Sequence, residues 1–296
     1  MSKNFVLGLD FGGTKIAAGV AEFGTGRLAA YTHKSTPKPG DPGHVLPFVE
    51  QMTNELISQA GGEICAIGIS FGGPIDKEAK KILFCPHLPG WESFALKEWM
   101  ERAFSVPAVI ENDANAAAIG ENHFGAGRGC RSLLYITVST GIGSGLILEG
   151  KLYKGHDGLA GEIGHMVLKP EGPRCSCGQR GCLEALASGL AIARRAREIL
   201  SELRQEGELL RSLCGGDLEN LSAKTVSEAA KRGDALSRKI LREAAQNLGW
   251  AISNAVNLLN PERVVLGGSV MKLSLIHISE PTRLGMNSYA VFCLKK

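Results

Sequence analysis

Residues 4–21 read NFVLGLDFGGTKIAAGVA, and residues 132–149 read SLLYITVSTGIGSGLILE. Each stretch consists of an apolar run, a turn rich in glycine and threonine, and a second apolar run. Short apolar runs bounded by turn residues are typical of buried strands joined in a hairpin. The repetition of the pattern predicts a duplicated mixed α/β domain with a cleft between its halves.

The segments around these two hairpins alternate between strand and helix patterns. Short apolar runs predict further strands at 28–33, 64–70, 108–110 and 264–266. Composition and apolar spacing predict helices at 43–60, 94–103, 114–124, 188–204 and 222–259, the last broken near Gly233. Asp113 stands immediately before the third of these helices, where a short carboxylate predicts an N-cap.

The bulk composition indicates a folded chain and gives no sign of a nucleic-acid or membrane partner. The 296 residues are 44% hydrophobic and carry a formal net charge of +3, with basic residues spread along the chain. This much apolar material is enough for two domains of ordinary size. The first residues do not form a signal peptide, and no apolar run reaches the length of a membrane span. We therefore expect a cytoplasmic protein.

The first glycine-rich turn is a candidate phosphate site. Gly12 and Gly13 let the backbone approach a ligand, and consecutive N–H groups can surround phosphate oxygens. Thr14 and Lys15 add a hydroxyl and a positive charge, and Asp10 can hold a hydrated Mg²⁺. The GxxxxGK[ST] spacing is absent, and taken alone the segment is equally consistent with an ordinary hairpin. The similar turn at 139–145 favours phosphate binding by both.

A carboxylate lies at the junction between a predicted strand and the third helix, in Glu111-Asn112-Asp113. Such a carboxylate, beside an amide, is well placed to act as a general base toward a hydroxyl. The alternative is simple helix capping, which the residues alone favour.

Cysteines cluster in one segment, and the cluster is the most specific signal in the chain. Cys175, Cys177 and Cys182 with His165 match a closed tetrahedral Cys₃His zinc site, which leaves no open position for catalysis. An odd trio of cysteines argues against disulfides and for a reducing cytosol. The flanking Glu162 and Glu184 are candidates for holding hydroxyls, although surface glutamates are the default. Gly267-Gly268-Ser269 is either a simple turn or a surface for adenine or ribose.

Together these motifs resemble the ROK family (repressors, open reading frames and kinases), from residue 4 to about residue 271. Residues 10–15 are similar to the family's first phosphate turn, 111–116 to its catalytic segment and 139–145 to its second phosphate turn. Residues 161–165 and 175–184 are similar to its zinc and sugar signature. The resemblance implies an actin-like ATPase (ribonuclease H-like) fold, in which two α/β lobes close over ATP and a sugar.

The resemblance also implies roles for individual residues. Asp113 would be the general base toward the 6-hydroxyl of a hexose, and His165 would bind zinc through one nitrogen and sugar through the other. The other sugar contacts would come from Gly73, Asn112, Glu162 and Glu184. The nucleotide and its Mg²⁺ would be held by Asp10, Gly12, Gly13, Thr14, Lys15, Thr140, Gly141, Gly143 and Gly268. The implied cofactors are ATP, Mg²⁺ and a structural Zn²⁺, and the implied assembly is a homodimer.

The resemblance leaves several activities to separate. The family's repressors carry a helix-turn-helix domain ahead of the kinase-like region, and because the phosphate strand begins by residue 4 we expect a kinase. Residues 86–91 read PHLPGW, which resembles the PNLPGW segment of the family's glucokinases. The predicted substrate is glucose, with N-acetylmannosamine or N-acetylglucosamine as the alternative. Fructokinases have a different zinc pattern, and a non-catalytic sugar sensor finds no support.

The chain divides into three parts by these patterns. We predict a smaller lobe at 1–117, a larger lobe with the zinc loop at 118–272, and a non-native tail at 273–296. The tail shows no helical period, and Pro281 interrupts it. It resembles translated adapter DNA in place of the family's C-terminal segment.

Overall fold

The computed structural model describes residues 4–76, 81–83, 85, 88, 90–203 and 206–273. Residues 274–296 of the expected tail lie outside the described residues, as do Pro86, His87 and Pro89 of the PHLPGW segment. The described residues form two compact units. One comprises the residues up to Ala117 with Lys154–Ala160, and the other comprises Ala118–Tyr153 and the residues from Gly161 onward.

The first unit is built on a five-stranded sheet. Its strands are β1 (Asn4–Phe11), β2 (Lys15–Glu22), β3 (Leu28–Ser35), β4 (Glu63–Phe71) and β5 (Ala108–Asn112), in the order β3-β2-β1-β4-β5. β1 pairs antiparallel with β2 and parallel with β4, which in turn pairs parallel with β5. Alternate residues of β1 are buried, as expected for a strand with one face on a core.

Among the described residues, two helices lie wholly within this unit, α1 (Pro42–Ala60) and α2 (Leu96–Phe104). Asp41 caps α1, and Gly61 ends it in the left-handed conformation that glycine adopts without strain. The buried stripe of α1 recurs every three or four residues at Val45, Val49, Met52 and Leu56. Trp91, the described end of the PHLPGW segment, is fully buried, and its indole N–H donates to the Gly40 carbonyl at 2.8 Å.

The second unit is built on a four-stranded sheet. Its strands are β6 (Leu133–Val138), β7 (Ile142–Leu148), β8 (Lys151–Leu152) and β9 (Arg263–Gly267), in the order β8-β7-β6-β9. The helix α3 (Asp113–Phe124) begins in the first unit and continues into the second. The remaining helices are α4 (Leu183–Ala187), α5 (Gly189–Glu202), α6 (Glu208–Leu213), α7 (Ala223–Lys231) and α8 (Ala235–Leu259).

The two predicted hairpins are confirmed, and both sheets repeat one arrangement. In each sheet the first hairpin strand pairs antiparallel with the second and parallel with a later strand. The predicted break near Gly233 is also confirmed, since α7 ends at Lys231 and Asp234 caps α8. The short elements α4, α6 and β8 were not predicted, because two to six residues are too few to show a period. No described helix is long and apolar enough to cross a membrane.

Candidate active site

The turn between β1 and β2 is a tight hairpin that only glycine fits. The Gly12 N–H donates to the Lys15 carbonyl at 3.1 Å, and a Cβ on Gly12 would lie 2.9 Å from the same oxygen. Gly13 and Thr14 complete the turn, and the side chains of Thr14 and Lys15 are exposed to solvent. The turn therefore presents backbone, a hydroxyl and an ammonium group on the surface of the first unit.

Asp10 lies at the carboxyl end of β1, beside that turn. It pairs in register with Ser70 on the parallel strand β4, and the Ser70 hydroxyl donates to the Asp10 carboxylate at 2.7 Å. The Asp10 side chain is exposed, so its oxygens can still accept from metal-bound water. Ser70 was not predicted; its position at the end of a parallel strand next to β1 was the available signal.

The first turn of α3 corrects one prediction, because Asn112 rather than Asp113 caps the helix. The Asn112 side-chain oxygen accepts from the backbone N–H groups of Ala114 at 3.0 Å and Asn115 at 3.2 Å. These are the N2 and N3 donors that an N-cap satisfies, which makes Asp113 the first helical residue. The Asn112 side-chain amide also donates to the Gly73 carbonyl at 3.2 Å.

Asp113 has an environment that favours its neutral form. Its side chain is exposed by surface area, yet protein atoms surround the carboxyl closely enough that desolvation raises its pKa above the ordinary value. The Ala114 N–H opposes this rise in pKa with a 2.8 Å bond, and the like charge of Asp10 adds to it.

Glu111, the residue before this pair, supports the helix start. One carboxylate oxygen accepts from the Asn112 N–H and from the Asn115 side-chain amide, each at 3.1 Å. The other forms an ion pair with Lys154, in the segment that packs with the first unit. Sequence reasoning missed Lys154, since nothing in its surroundings indicates a partner 43 residues earlier in the chain.

The second glycine-rich turn is shorter than predicted. Val138 pairs with Ile142 in the β6–β7 ladder, which leaves only Ser139, Thr140 and Gly141 in the loop. Gly143 therefore lies within β7 opposite Thr137, while Thr140 at the tip of the turn is exposed. The antiparallel register continues further toward the turn than the glycine content of the sequence suggests.

The turn after β9 lies next to this second turn. β9 is the parallel neighbour of β6, and the hydroxyls of Ser139 and Ser269 are 2.9 Å apart. Gly268 has a φ of +94°, and a Cβ there would lie 2.2 Å from the Val138 carbonyl oxygen. Gly268 is thus required by the close approach of these two turns, whatever it binds.

The cysteine cluster forms one compact group of four donors with His165, as predicted. The ligand atoms of His165, Cys175, Cys177 and Cys182 all lie within 4.8 Å of one another. Cys177 Sγ is 3.7 Å from Cys182 Sγ, and Cys175 Sγ is 3.5 Å from His165 Nδ1. Tetrahedral zinc with ordinary bond lengths places two sulfurs about 3.8 Å apart and a sulfur and a nitrogen about 3.6 Å apart. The donor set and its spacing therefore fit Zn²⁺.

The thiols of this group titrate differently from one another. The Gln179 N–H lowers the pKa of the exposed Cys177 thiol, whereas burial and the neighbouring sulfurs raise the pKa of Cys182 to about 12. Three thiolates in so small a space repel one another, so a divalent cation is what would let all three lose their protons.

Glu162 and Glu184 flank this group but differ in their partners. Glu162 is exposed and precedes the 3₁₀ turn Ile163–His165. Glu184, on α4, accepts from the Ile142 N–H at 3.0 Å and from the Ser176 hydroxyl at 3.2 Å. Both Glu184 oxygens thus have protein partners, and the sequence predicts neither of them.

The predicted residues fall into two groups by unit. In the first, Asp10 lies close enough to Asp113 to affect its pKa, and Asn112 joins Asp113 to Gly73. In the second, hydrogen bonds join Glu184 to Ile142 at the end of the second glycine-rich turn and to Ser176 in the cysteine loop. Each unit therefore combines a glycine-rich turn with polar side chains suited to holding hydroxyls or phosphates.

Comparisons with known proteins agree with this architecture. A model of the ROK family matches residues 6–289. A glucokinase of Streptomyces coelicolor is 36% identical over 264 residues, covering 89% of this chain and 81% of that protein. The structure of a ROK family glucokinase from Streptomyces griseus in complex with glucose and AMPPNP matches with a TM-score of 0.79 at 33% identity, covering 97% of this chain and 94% of that one.

A repressor is also among the relatives. The xylose repressor of Caldicellulosiruptor bescii is 35% identical over 204 residues, which is 69% of this chain and 50% of that protein.

The two similar sheets and their glycine-rich turns define an actin-like ATPase fold of the sugar-kinase type, as predicted. The chain belongs to the ROK family. The match to the family continues to residue 289, whereas the sequence pattern placed the end of the resemblance at about residue 271.

Proposed function

We propose that this protein is a glucokinase, which transfers the γ-phosphoryl group of ATP to the 6-hydroxyl of glucose. The observation that carries the proposal is that Asn112 and Asp113 have different roles at the start of α3. Asn112 caps the helix through the N–H groups of Ala114 and Asn115, so the Asp113 carboxylate, one oxygen of which shares the Ala114 N–H, is not needed as the cap. Asp113 is then available as the general base that takes the proton of the attacking hydroxyl.

The two glycine-rich turns would hold the nucleotide. Phosphoryl transfer demands positioning and charge neutralisation more than covalent chemistry, and backbone N–H groups, hydroxyls and Lys15 supply both. In this proposal Thr14 and Thr140 donate to phosphate oxygens, and Asp10 holds a hydrated Mg²⁺, which would neutralise phosphate charge. The assigned glycines are Gly12, Gly13, Gly141 and Gly143, with Gly268 on the nucleoside side.

The sugar would be held by groups from both sequence signatures. Asn112, Glu162 and Glu184 offer hydroxyl partners, and Gly73 brings backbone close to the ligand. His165 turns Nδ1 toward Cys175, which leaves Nε2 for a sugar hydroxyl. Zn²⁺ held by His165, Cys175, Cys177 and Cys182 would supply a rigid cross-link and no step of the reaction.

Three features support glucose phosphorylation over the alternatives. The glucokinase alignment covers most of both chains, whereas the repressor alignment covers half of the repressor. The structural relative with 33% identity was determined with glucose and an ATP analogue. N-acetylmannosamine and N-acetylglucosamine remain the alternative substrates, because the same zinc and sugar signature resembles kinases for those sugars. Asp113 and both turns speak against a non-catalytic sensor.

A panel of sugars tests the proposal directly. Purified protein with ATP and Mg²⁺ should phosphorylate glucose with a higher kcat/KM than N-acetylmannosamine, N-acetylglucosamine or fructose. Faster turnover of N-acetylmannosamine than of glucose would show that N-acetylmannosamine is the substrate. Sugar binding without turnover of any sugar would reject the kinase and indicate a sensor or repressor.

We also propose a cytoplasmic location and a homodimer. Free thiolates that bind zinc need a reducing compartment, which favours the cytoplasm. Light scattering during gel filtration would measure the oligomeric state, and a single-chain mass would reject the dimer.

A further inference from the structure

The Glu184 carboxylate lies between two loops that are far apart in the sequence. Its Oε2 accepts from the Ile142 N–H at 3.0 Å, at the end of the second phosphate turn. Its Oε1 accepts from the Ser176 hydroxyl at 3.2 Å, inside the cysteine loop. The side chain therefore joins the metal-binding loop to the turn through two hydrogen bonds.

The second phosphate turn is closely fitted to this carboxylate. A Cβ on Gly141 would lie 2.5 Å from Glu184 Oε2, so backbone and carboxylate are in close contact there. A carboxylate beside a turn that binds phosphates repels them unless hydrogen bonds or cations offset its negative charge. The hydrogen bond from Ser176 holds one of its oxygens toward the cysteine loop and offsets part of that charge.

Ser176 takes its position from its two neighbours. It stands between Cys175 and Cys177, and the Gly178 N–H donates to the Cys175 carbonyl at 3.0 Å in the same tight loop. Its hydroxyl oxygen is 3.2 Å from Glu184 but 3.9 Å from Cys175 Sγ, so the proton goes to the carboxylate. Movement of either cysteine would move the hydroxyl.

We propose that Ser176 is a positioning residue that ties the cysteine loop, through Glu184, to the second phosphate turn. Nucleotide affinity then depends on the order of the metal-binding loop, although none of the four residues that would bind zinc is assigned to the nucleotide. The nucleotide part of this inference rests on the proposed function; the physical link from Ser176 to Ile142 does not.

Three zinc-loaded variants test the link, with AMPPNP as the probe. Ser176→Ala removes the hydroxyl that donates to Glu184, and Ser176→Thr keeps it. Gln179→Ala is a control in the same loop that leaves this hydroxyl in place. We expect Ser176→Ala to weaken AMPPNP binding roughly 3- to 10-fold, as for one lost hydrogen bond. Zinc content should change less than about twofold, and Ser176→Thr and Gln179→Ala should resemble the parent protein in both measurements.

Hydrogen exchange at the Ile142 N–H, measured without nucleotide, separates the link from the function. Faster exchange in Ser176→Ala alone supports the link even if the parent protein binds no AMPPNP, a result that would reject only the proposed nucleotide role. Unchanged exchange at Ile142, or a loss of zinc in Ser176→Ala as large as the loss of AMPPNP affinity, would overturn the inference.

Discussion

At the scale of single residues, the start of α3 shows how adjacent polar side chains acquire different tasks. Asn112 offers an oxygen to the helix N–H groups and an amide to the Gly73 carbonyl, a pair of bonds that an aspartate cannot make. Asp113 keeps its carboxylate at the surface, with a pKa raised by desolvation and by Asp10. The two tasks depend on each other because the cap fixes the direction of the next residue.

Replacing Asn112 tests this dependence. Asn112→Ala should lower the free energy of unfolding by about 1 kcal/mol, the cost of a lost N-cap, and should also lower turnover. Asn112→Asp keeps the cap and should recover most of the stability. Urea denaturation and a glucose kinase assay measure both effects. Ser222→Ala removes the cap of α7 instead and should cost similar stability without loss of turnover; full turnover in Asn112→Ala would separate the cap from catalysis.

Asp113→Asn should abolish transfer and yet stabilise the fold. Loss of a general base costs roughly 10²- to 10⁴-fold in kcat, while glucose affinity should persist. A raised folded-state pKa means that the stability contributed by Asp113 is present below about pH 4 and is lost as the pH rises through the raised value. Near neutral pH the variant should therefore have a higher melting temperature. Its free energy of unfolding should rise by less than about 1 kcal/mol, because the side chain is exposed. Melting curves near neutral pH and below about pH 4 check the direction of this change, which should be present only near neutral pH. Near-normal turnover of Asp113→Asn would show that Asp113 is not the base.

At the scale of elements, the 3₁₀ turn Ile163–His165 can lie against β7 because Gly164 has no side chain. A Cβ on Gly164 would lie 2.1 Å from the Ile142 carbonyl oxygen, and Gly164 is buried. The Ser144 hydroxyl also donates to the Gly161 carbonyl at the same junction. His165 can therefore reach the cysteine loop only while the turn lies against the strand.

Gly164→Ala should displace this turn, with losses in stability and in metal content. The added methyl group would overlap a backbone oxygen that cannot rotate away, and overpacking of this kind costs about 1–3 kcal/mol. Gly249→Ala is the matched control, because Gly249 lies in the middle of α8 with nothing within 4 Å of an added Cβ. It should stabilise the protein by up to about 1 kcal/mol. Equal unfolding free energies for the two variants would contradict the close contact at Gly164.

At the scale of the whole molecule, the proposed zinc contributes to stability because its loop has almost no core. Among the described residues, the buried cluster at that point consists of Cys175, Cys182 and Ala185. Metal analysis should find about one zinc per chain, and chelation should lower the melting temperature and weaken glucose binding, because structural zinc contributes roughly 10 kcal/mol or more. Cys182→Ala should lose the metal, whereas Cys65→Ser, outside the cluster, should keep it. A stable metal-free protein with full glucose affinity would reject the structural zinc.

The predicted non-native tail at residues 273–296 can be tested by truncation. If residues 274–296 are not native, a chain ending at Leu273 should melt within a few degrees of the full chain. Leu273 itself must stay, because its carbonyl accepts from the Ser227 hydroxyl at 2.5 Å. The family match to residue 289 weighs against the proposal. A large fall in melting temperature, or the same tail in the genomic gene, would overturn it.

The amino-acid sequence alone determined the two hairpins, the doubled α/β architecture and the four donors of the cysteine cluster. Hairpins and donor spacing are local, so apolar periodicity and the distances between cysteines are enough to predict them. The tertiary structure decided that Asn112 caps α3, that Lys154 pairs with Glu111, and that Glu184 joins Ser176 to Ile142. Glu184 and Ile142 are 42 positions apart. A contact of that kind depends on where strands and loops meet in three dimensions, and no local pattern records it.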